Sequence, residues 1–209
     1  MMLGTSLKRY SWLIFLVGIA ASVYTQADEA LYQQRCAACH GASGEGNEAM
    51  KAPSIAAMSQ AYLERQLRHF RDGQRGTHTE DTAGQTMRAI ALPLTDKMIA
   101  TVSAYLSGLP EPVVITEKEF AGFRGRGLYS GCASCHGAGG EGYPDLGAPK
   151  LTQQYGWYLR AQIENFRKGL RGTHKEDERG QQMRLMAEGI HSDADVDTLI
   201  KHITGLGVK

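Results

Sequence analysis

Two stretches decide how this chain is read: Cys36-Ala37-Ala38-Cys39-His40-Gly41-Ala42-Ser43-Gly44-Glu45-Gly46 and Cys132-Ala133-Ser134-Cys135-His136-Gly137-Ala138-Gly139-Gly140-Glu141-Gly142. Each opens with C-x-x-C-H, the attachment signature of c-type haem. Two thiols at this spacing lie one turn apart and can add across the two vinyl groups of one haem. The histidine that follows then presents its imidazole to the iron. The chain's 4 cysteines are all used in this way. A four-thiolate zinc site would draw both pairs together and leave both histidines unexplained. A pair of thioredoxin-like redox centres would need βαβ surroundings, which the pattern lacks. Two disulfide loops, the ordinary reading of four cysteines in an oxidising compartment, also leave the histidines idle.

Outward from these motifs the chain repeats itself. At an offset of 96, Ala52-Pro53 lies over Ala148-Pro149. Phe70-Arg71, Gly73 and Arg75-Gly76-Thr77-His78 lie over Phe166-Arg167, Gly169 and Arg171-Gly172-Thr173-His174. Gly84-Gln85-Thr86-Met87-Arg88 lies over Gly180-Gln181-Gln182-Met183-Arg184. One extra residue after Met183 moves the offset to 97, where Gly108-Leu109 meets Gly205-Leu206. A period this long marks an internal duplication. The expected organisation is an all-α chain of two tandem haem domains, residues 28–109 and 117–209, joined by a linker over 110–116. In that linker Pro110 and Pro112 stop a helix and favour extended backbone.

Residues 1–27 read as a signal peptide. Lys8 and Arg9 form its positive region, Trp12 to Val23 its apolar core, and Thr25 and Ala27 the small residues before cleavage. The apolar run is short for a bilayer-spanning helix, which needs about 20 such residues. The remainder is expected in the periplasm, with loose membrane association left open. Of 209 residues 42% are hydrophobic and 22% charged, a globular composition. The formal charge of +1 is spread without a basic stripe, which excludes nucleic acid as a partner.

The periodicity is helical. Leu63, Leu67 and Phe70 fall at i, i+4, i+7, and Leu159, Ile163 and Phe166 repeat that spacing. Ile99, Val102 and Leu106 form a second stripe, matched by Val196, Leu199 and Ile203, with Thr95-Asp96 and Ser192-Asp193 as helix caps. Leading helices run into the motifs through Leu31-Tyr32 and Leu128-Tyr129. No stretch alternates with period two, so no sheet is expected. Domains of this size are marginal on protein packing alone, and a covalently held haem adds apolar surface at the centre.

The sixth position of each iron calls for a soft or imidazole ligand from later chain. Among the methionines, only Met87 and Met183 are paired by the repeat. Gap-filling in the core is the plain alternative for them. His78 and His174 are also paired and would give bis-histidine ligation, but their charged, glycine-rich neighbours suggest a surface loop. His69, His191 and His202 lack a histidine partner in the other repeat and carry no expected role.

With these residues in place, the chain resembles the class I cytochromes c, most closely the dihaem cytochrome c4 family. The resemblance rests on both C-x-x-C-H motifs, the Ala-Pro after each, the F-R-x-G-x-R-G stretches and the methionine before a final helix. It implies covalent haem c on Cys36, Cys39, Cys132 and Cys135, and axial pairs His40/Met87 and His136/Met183. It also implies that the carbonyls of Pro53 and Pro149 orient the histidines. Lys51 departs from the pattern where the second repeat has Gly147, and His202 stands where the first has Tyr105. Among the recurring arginines, Arg75 and Arg171 are candidates for haem propionates, with a solvated helix face as the alternative. The family likeness implies an electron carrier rather than an enzyme, passing single electrons between donor and acceptor proteins, commonly towards a terminal oxidase. It binds no small-molecule substrate on this reading. A cytochrome subunit of an exported dehydrogenase or oxidase is the second reading, and a dihaem peroxidase the third.

Overall fold

The computed structural model describes residues 28–114 and 121–206; the expected signal peptide 1–27, residues 115–120 at the end of the linker and the start of the second domain, and residues 207–209 lie outside the described residues. Among the described residues every regular element is a helix, with only two isolated β-bridges, Asn47–Ala52 and Tyr143–Ala148. In the first half α1 (28–35) and α2 (Ala37–His40) carry the first motif, followed by α3 (Gln60–Arg71), α4 (Thr82–Ala91) and α5 (Asp96–Gly108). In the second half α6 (Gly122–His136) carries the second motif, followed by α7 (Gly156–Arg167), α8 (Glu178–Glu188) and α9 (Asp193–Leu206).

The apolar stripes become the two cores. Leu63 on α3 packs with Tyr32, Met58, Val102 and Leu106, and Phe70 with Ala91, Leu94 and Ile99. In the second half Leu159 on α7 packs with Tyr129, Leu199 and Ile203. The side chains of Thr95 and Ser192 accept from the N–H groups of Met98 and Asp195, satisfying donors that the first turns of α5 and α9 leave open. Helix α5 ends at Gly108, and the chain runs extended from Leu109 into Pro110. The linker then lies on the second half: Gln153 accepts from the Val114 N–H at 3.1 Å, and Lys150 pairs with Glu111 at 2.7 Å.

Two register changes separate the repeats. Ala91 and Ala187 are both buried, and the N–H groups of Leu94 and Ile190 donate to their carbonyls at 2.9 and 3.0 Å, still 96 apart. The caps Thr95 and Ser192 are 97 apart, so the extra residue is His191. The other change precedes the motifs. Tyr32 and Tyr129, 97 apart, each donate a phenol hydrogen bond to the carbonyl after the motif histidine, Gly41 at 2.5 Å and Gly137 at 2.7 Å. The first half therefore holds one more residue between that tyrosine and its motif. It absorbs the excess as a turn at Cys36, whereas α6 runs unbroken into His136.

Candidate haem sites

Each motif histidine is buried and held by one bond. His40 is 6% exposed and His136 4%. Their Nδ1 atoms donate to the carbonyl oxygens of Pro53 and Pro149 at 2.9 and 2.8 Å. This fixes the tautomer that leaves Nε2 bare, the arrangement a metal-binding imidazole needs. Burial pushes both imidazoles below the ordinary histidine range, opposed by the proline carbonyls, so the neutral, ligating form prevails.

Opposite His136, the Met183 sulfur stands 3.5 Å from Nε2. Residues 47 apart thus converge with their donor atoms face to face. Met87 is half-buried against the cluster of Phe70, Ala91, Leu94 and Ile99. Both methionines ride on helices, α4 and α8, that the apolar pattern does not announce. The larger aliphatic residues of these helices, Ile90, Leu185 and Met186, are exposed, and each helix is declared by a cap. Asp81 accepts from the Gly84 N–H and Asp177 from the Gly180 N–H, at 3.0 and 2.8 Å. The arginine–glycine loops press on those first turns. Gly76 has φ +75, and a Cβ there would meet the Gly84 carbonyl oxygen at 2.2 Å; Gly172 and Gly180 repeat the contact.

The paired histidines of those loops face elsewhere. His78 is exposed, and the Nδ1 atoms of His78 and His174 accept from the N–H groups of Glu80 and Glu176 in their own turns. The first thiol of each pair is not tuned for redox exchange. Burial pushes Cys36 up to about 11 and also raises Cys132, whereas reactive C-x-x-C thiols are lowered. Among the described residues no three of His, Cys, Asp and Glu gather as a metal cluster, so the pairs do not combine into a thiolate site.

Between the halves lies an interface organised by Arg75 and Arg171. Arg75 donates to Gln66 and Gln162 at 2.7 and 2.9 Å; Arg171 donates to Gln162 and Gln66 at 2.7 and 2.8 Å. Each guanidinium lies over a phenylalanine of its own half, Phe70 or Phe166. Both arginines are more than nine-tenths buried, and neither Nε has a partner. Nor do the buried Nε atoms of Arg65 and Arg88 or the indole nitrogen of Trp157. Burial alone would raise the Tyr62 phenol, but Arg171, Arg75 and Arg65 outweigh it and lower it. A buried surplus of donors and positive charge calls for anions. Together with the apposed imidazole and thioether, it fits haem and its carboxylates.

The interface has further arms. Gln154 clasps Ser54 through two backbone bonds, accepting from its N–H at 3.0 Å and donating to its carbonyl at 2.8 Å. Arg65 donates to the Gly147 carbonyl at 2.6 Å, and Lys51 lies over the Trp157 ring. Lys51 takes the left-handed backbone of Gly147, φ 52 against 68, so the departure from glycine is accommodated at the cost of strain.

The cytochrome c family profile matches residues 28–110 and again 123–207. The chain belongs to the cytochrome c family. Cytochrome c4 of Pseudomonas aeruginosa is 29% identical over 93% of this chain and 96% of its own. The thiosulfate dehydrogenase electron acceptor of Stutzerimonas stutzeri is 32% identical over 90% of this chain and 86% of its own. The crystal structure of reduced cytochrome c4 from Pseudomonas stutzeri superposes with a TM-score of 0.71, at 26% identity, over 87% of this chain and 97% of that one. This cytochrome is accordingly a dihaem, cytochrome c4-like electron-transfer protein with two tandem helical domains and two covalently bound haem c groups.

Proposed function

We propose that this cytochrome shuttles single electrons between redox proteins of the periplasm, towards a terminal oxidase, without catalysing a reaction of its own. Haem c bound to each half supplies a one-electron iron couple. Cys36 and Cys39 hold the first group and Cys132 and Cys135 the second, with His40/Met87 and His136/Met183 as the axial pairs. The observation that carries this reading is the Met183 sulfur facing the bare Nε2 of His136. A filled sixth position leaves no open site for substrate, and an electron carrier needs none. Pro53 and Pro149 hold the imidazoles in orientation. Arg75 and Arg171 would take the haem propionates through their unpartnered Nε atoms. The functional units are residues 28–109 and 117–209, with 110–116 between them and 1–27 as the export signal. Among the described residues no helix is long and apolar enough to cross a membrane. A second reading, service to an exported dehydrogenase, is favoured by the similarity to a thiosulfate dehydrogenase electron acceptor.

The test is spectroscopic. The oxidised protein should show the weak sulfur-to-iron charge-transfer band, and Met87→Ala and Met183→Ala should each remove about half of it. Loss of the band in His78→Ala and His174→Ala, with the methionine variants unchanged, would falsify the ligand assignment. Fast stoichiometric binding of carbon monoxide by the reduced protein would instead point to an enzyme.

A further inference from the structure

The two halves meet through equivalent arms, and only one of them sets a titratable side chain against its capping aspartate. In one arm Asn165 Nδ2 donates to Asp81 Oδ1 at 3.2 Å. In the other, the residue equivalent to Asn165 is His69, whose Nδ1 stands 3.6 Å from Asp177 Oδ1. Each aspartate oxygen already accepts the capping N–H of a methionine-bearing helix, Gly84 for α4 and Gly180 for α8. Met87 and Met183 follow those glycines by three residues, less than one helical turn.

His69 therefore belongs to the first half but addresses the helix of the second half's methionine. Both partners are buried, His69 to 8% exposure and Asp177 to 4%, and His69 Nδ1 has no hydrogen bond. The charged groups facing the imidazole are Asp177 at the start of α8, Arg171 in the loop before it, Arg65 on α3 and Arg75 after α3. Three cations oppose a proton there and one carboxylate favours it. Negative charge arriving nearby shifts that balance.

We propose that His69 is a proton-binding site coupled to reduction of the second haem, acting through Asp177 and the first turn of α8. One electron from a redox partner converts the second iron from the ferric to the ferrous state, and one proton from solvent binds Nδ1 of His69. The imidazolium then closes on Asp177; on reoxidation the electron leaves to the acceptor and the proton returns to water. The first haem has no such arm, because an amide at position 165 does not titrate. The inference rests on Met183 as the axial ligand, and His69 acts as a positioning residue rather than a ligand.

The test uses the native holoprotein and His69→Asn, a variant that copies what the second half itself carries at position 165. The reduction potential of each haem is followed from about pH 5 to 8, the range in which histidine titrates. In the native protein the second haem's potential should rise on acidification, and His69→Asn should flatten that curve while leaving the first haem's unchanged. Nuclear magnetic resonance titration of His69 in native protein should give a higher pKa in the reduced than in the oxidised state. A native-like curve in His69→Asn overturns the proposal and assigns any pH dependence to the propionates. Equal His69 pKa values in both oxidation states overturn it as well. The charge-transfer band, recorded on the same samples, reports separately whether the methionine ligation holds.

Discussion

Arg75 and Arg171 belong to different halves of the chain yet donate to the same two glutamine oxygens, those of Gln66 and Gln162. Each arginine spans the interface with one nitrogen and stays at home with the other. The four side chains close a ring in which neither half is complete alone. On the proposed role of these arginines as propionate partners, the interface is shared by both haem sites.

Breaking the ring on one side should therefore be felt on both. Arg75→Met leaves each glutamine oxygen one donor short in a buried setting, at a cost of about 1–3 kcal/mol. Denaturant unfolding should show that loss, and Arg171→Met should match it closely. Redox titration of either variant is expected to shift both haem potentials. A shift confined to the variant's own half would show that the ring does not link them.

Gln154 tests the other arm of the interface. Gln154→Ala strands the N–H and carbonyl of Ser54, which are buried beneath it. Unpaired buried groups cost about 1–3 kcal/mol each, and water entry recovers part of that. Small-angle scattering should show a looser pair of domains, while the haem spectra stay native, since Gln154 touches neither motif histidine nor methionine. An unchanged scattering profile with native stability would mean the clasp contributes nothing.

The glycines of the arginine loop allow an internal control. Gly73 and Gly76 both have left-handed backbone, φ +79 and +75. A Cβ at Gly73 would find its nearest neighbour at 3.7 Å, whereas at Gly76 it would strike the Gly84 carbonyl oxygen at 2.2 Å. Gly73→Ala should cost only the backbone penalty of about 1–2 kcal/mol. Gly76→Ala should cost clearly more, and should also weaken the charge-transfer band by displacing the helix of Met87. Equal unfolding midpoints for the two variants would contradict this packing.

Acid should lower the folding stability of the oxidised protein. Burial lowers His69 below its ordinary value of 6.5, with Arg65, Arg171 and Arg75 adding to the effect and Asp177 opposing it. The unfolded chain therefore takes up this proton first as the pH falls. Stability should decline through about pH 6.5 and level off below the folded value of His69. His69→Asn should remove that part of the acid slope, measured as unfolding free energy against pH. A variant slope equal to the native one would rule His69 out as its source.

The sequence by itself determined whatever depends on neighbours along the chain. The thiols and imidazole of each motif sit within five residues, and the stripes of α3, α5, α7 and α9 follow one helical period, so both are legible without any tertiary structure. The same holds for the caps Thr95 and Ser192. Helices α4 and α8 were less legible because their apolar faces are short and part of their fixing is non-periodic, through the caps Asp81 and Asp177 and a glycine loop pressed against each first turn. Only the tertiary structure decided that the excess residue of the second half is His191, because burial of Ala91 and Ala187 fixes the register where letter matching drifts. It alone decided the partners of Arg75 and Arg171, which read equally as propionate donors or as a solvated face. It alone made His69 matter, since its partner lies 108 positions away on the other half. Pairings of that kind leave no periodic trace, because they are selected by the packing of one finished domain on another.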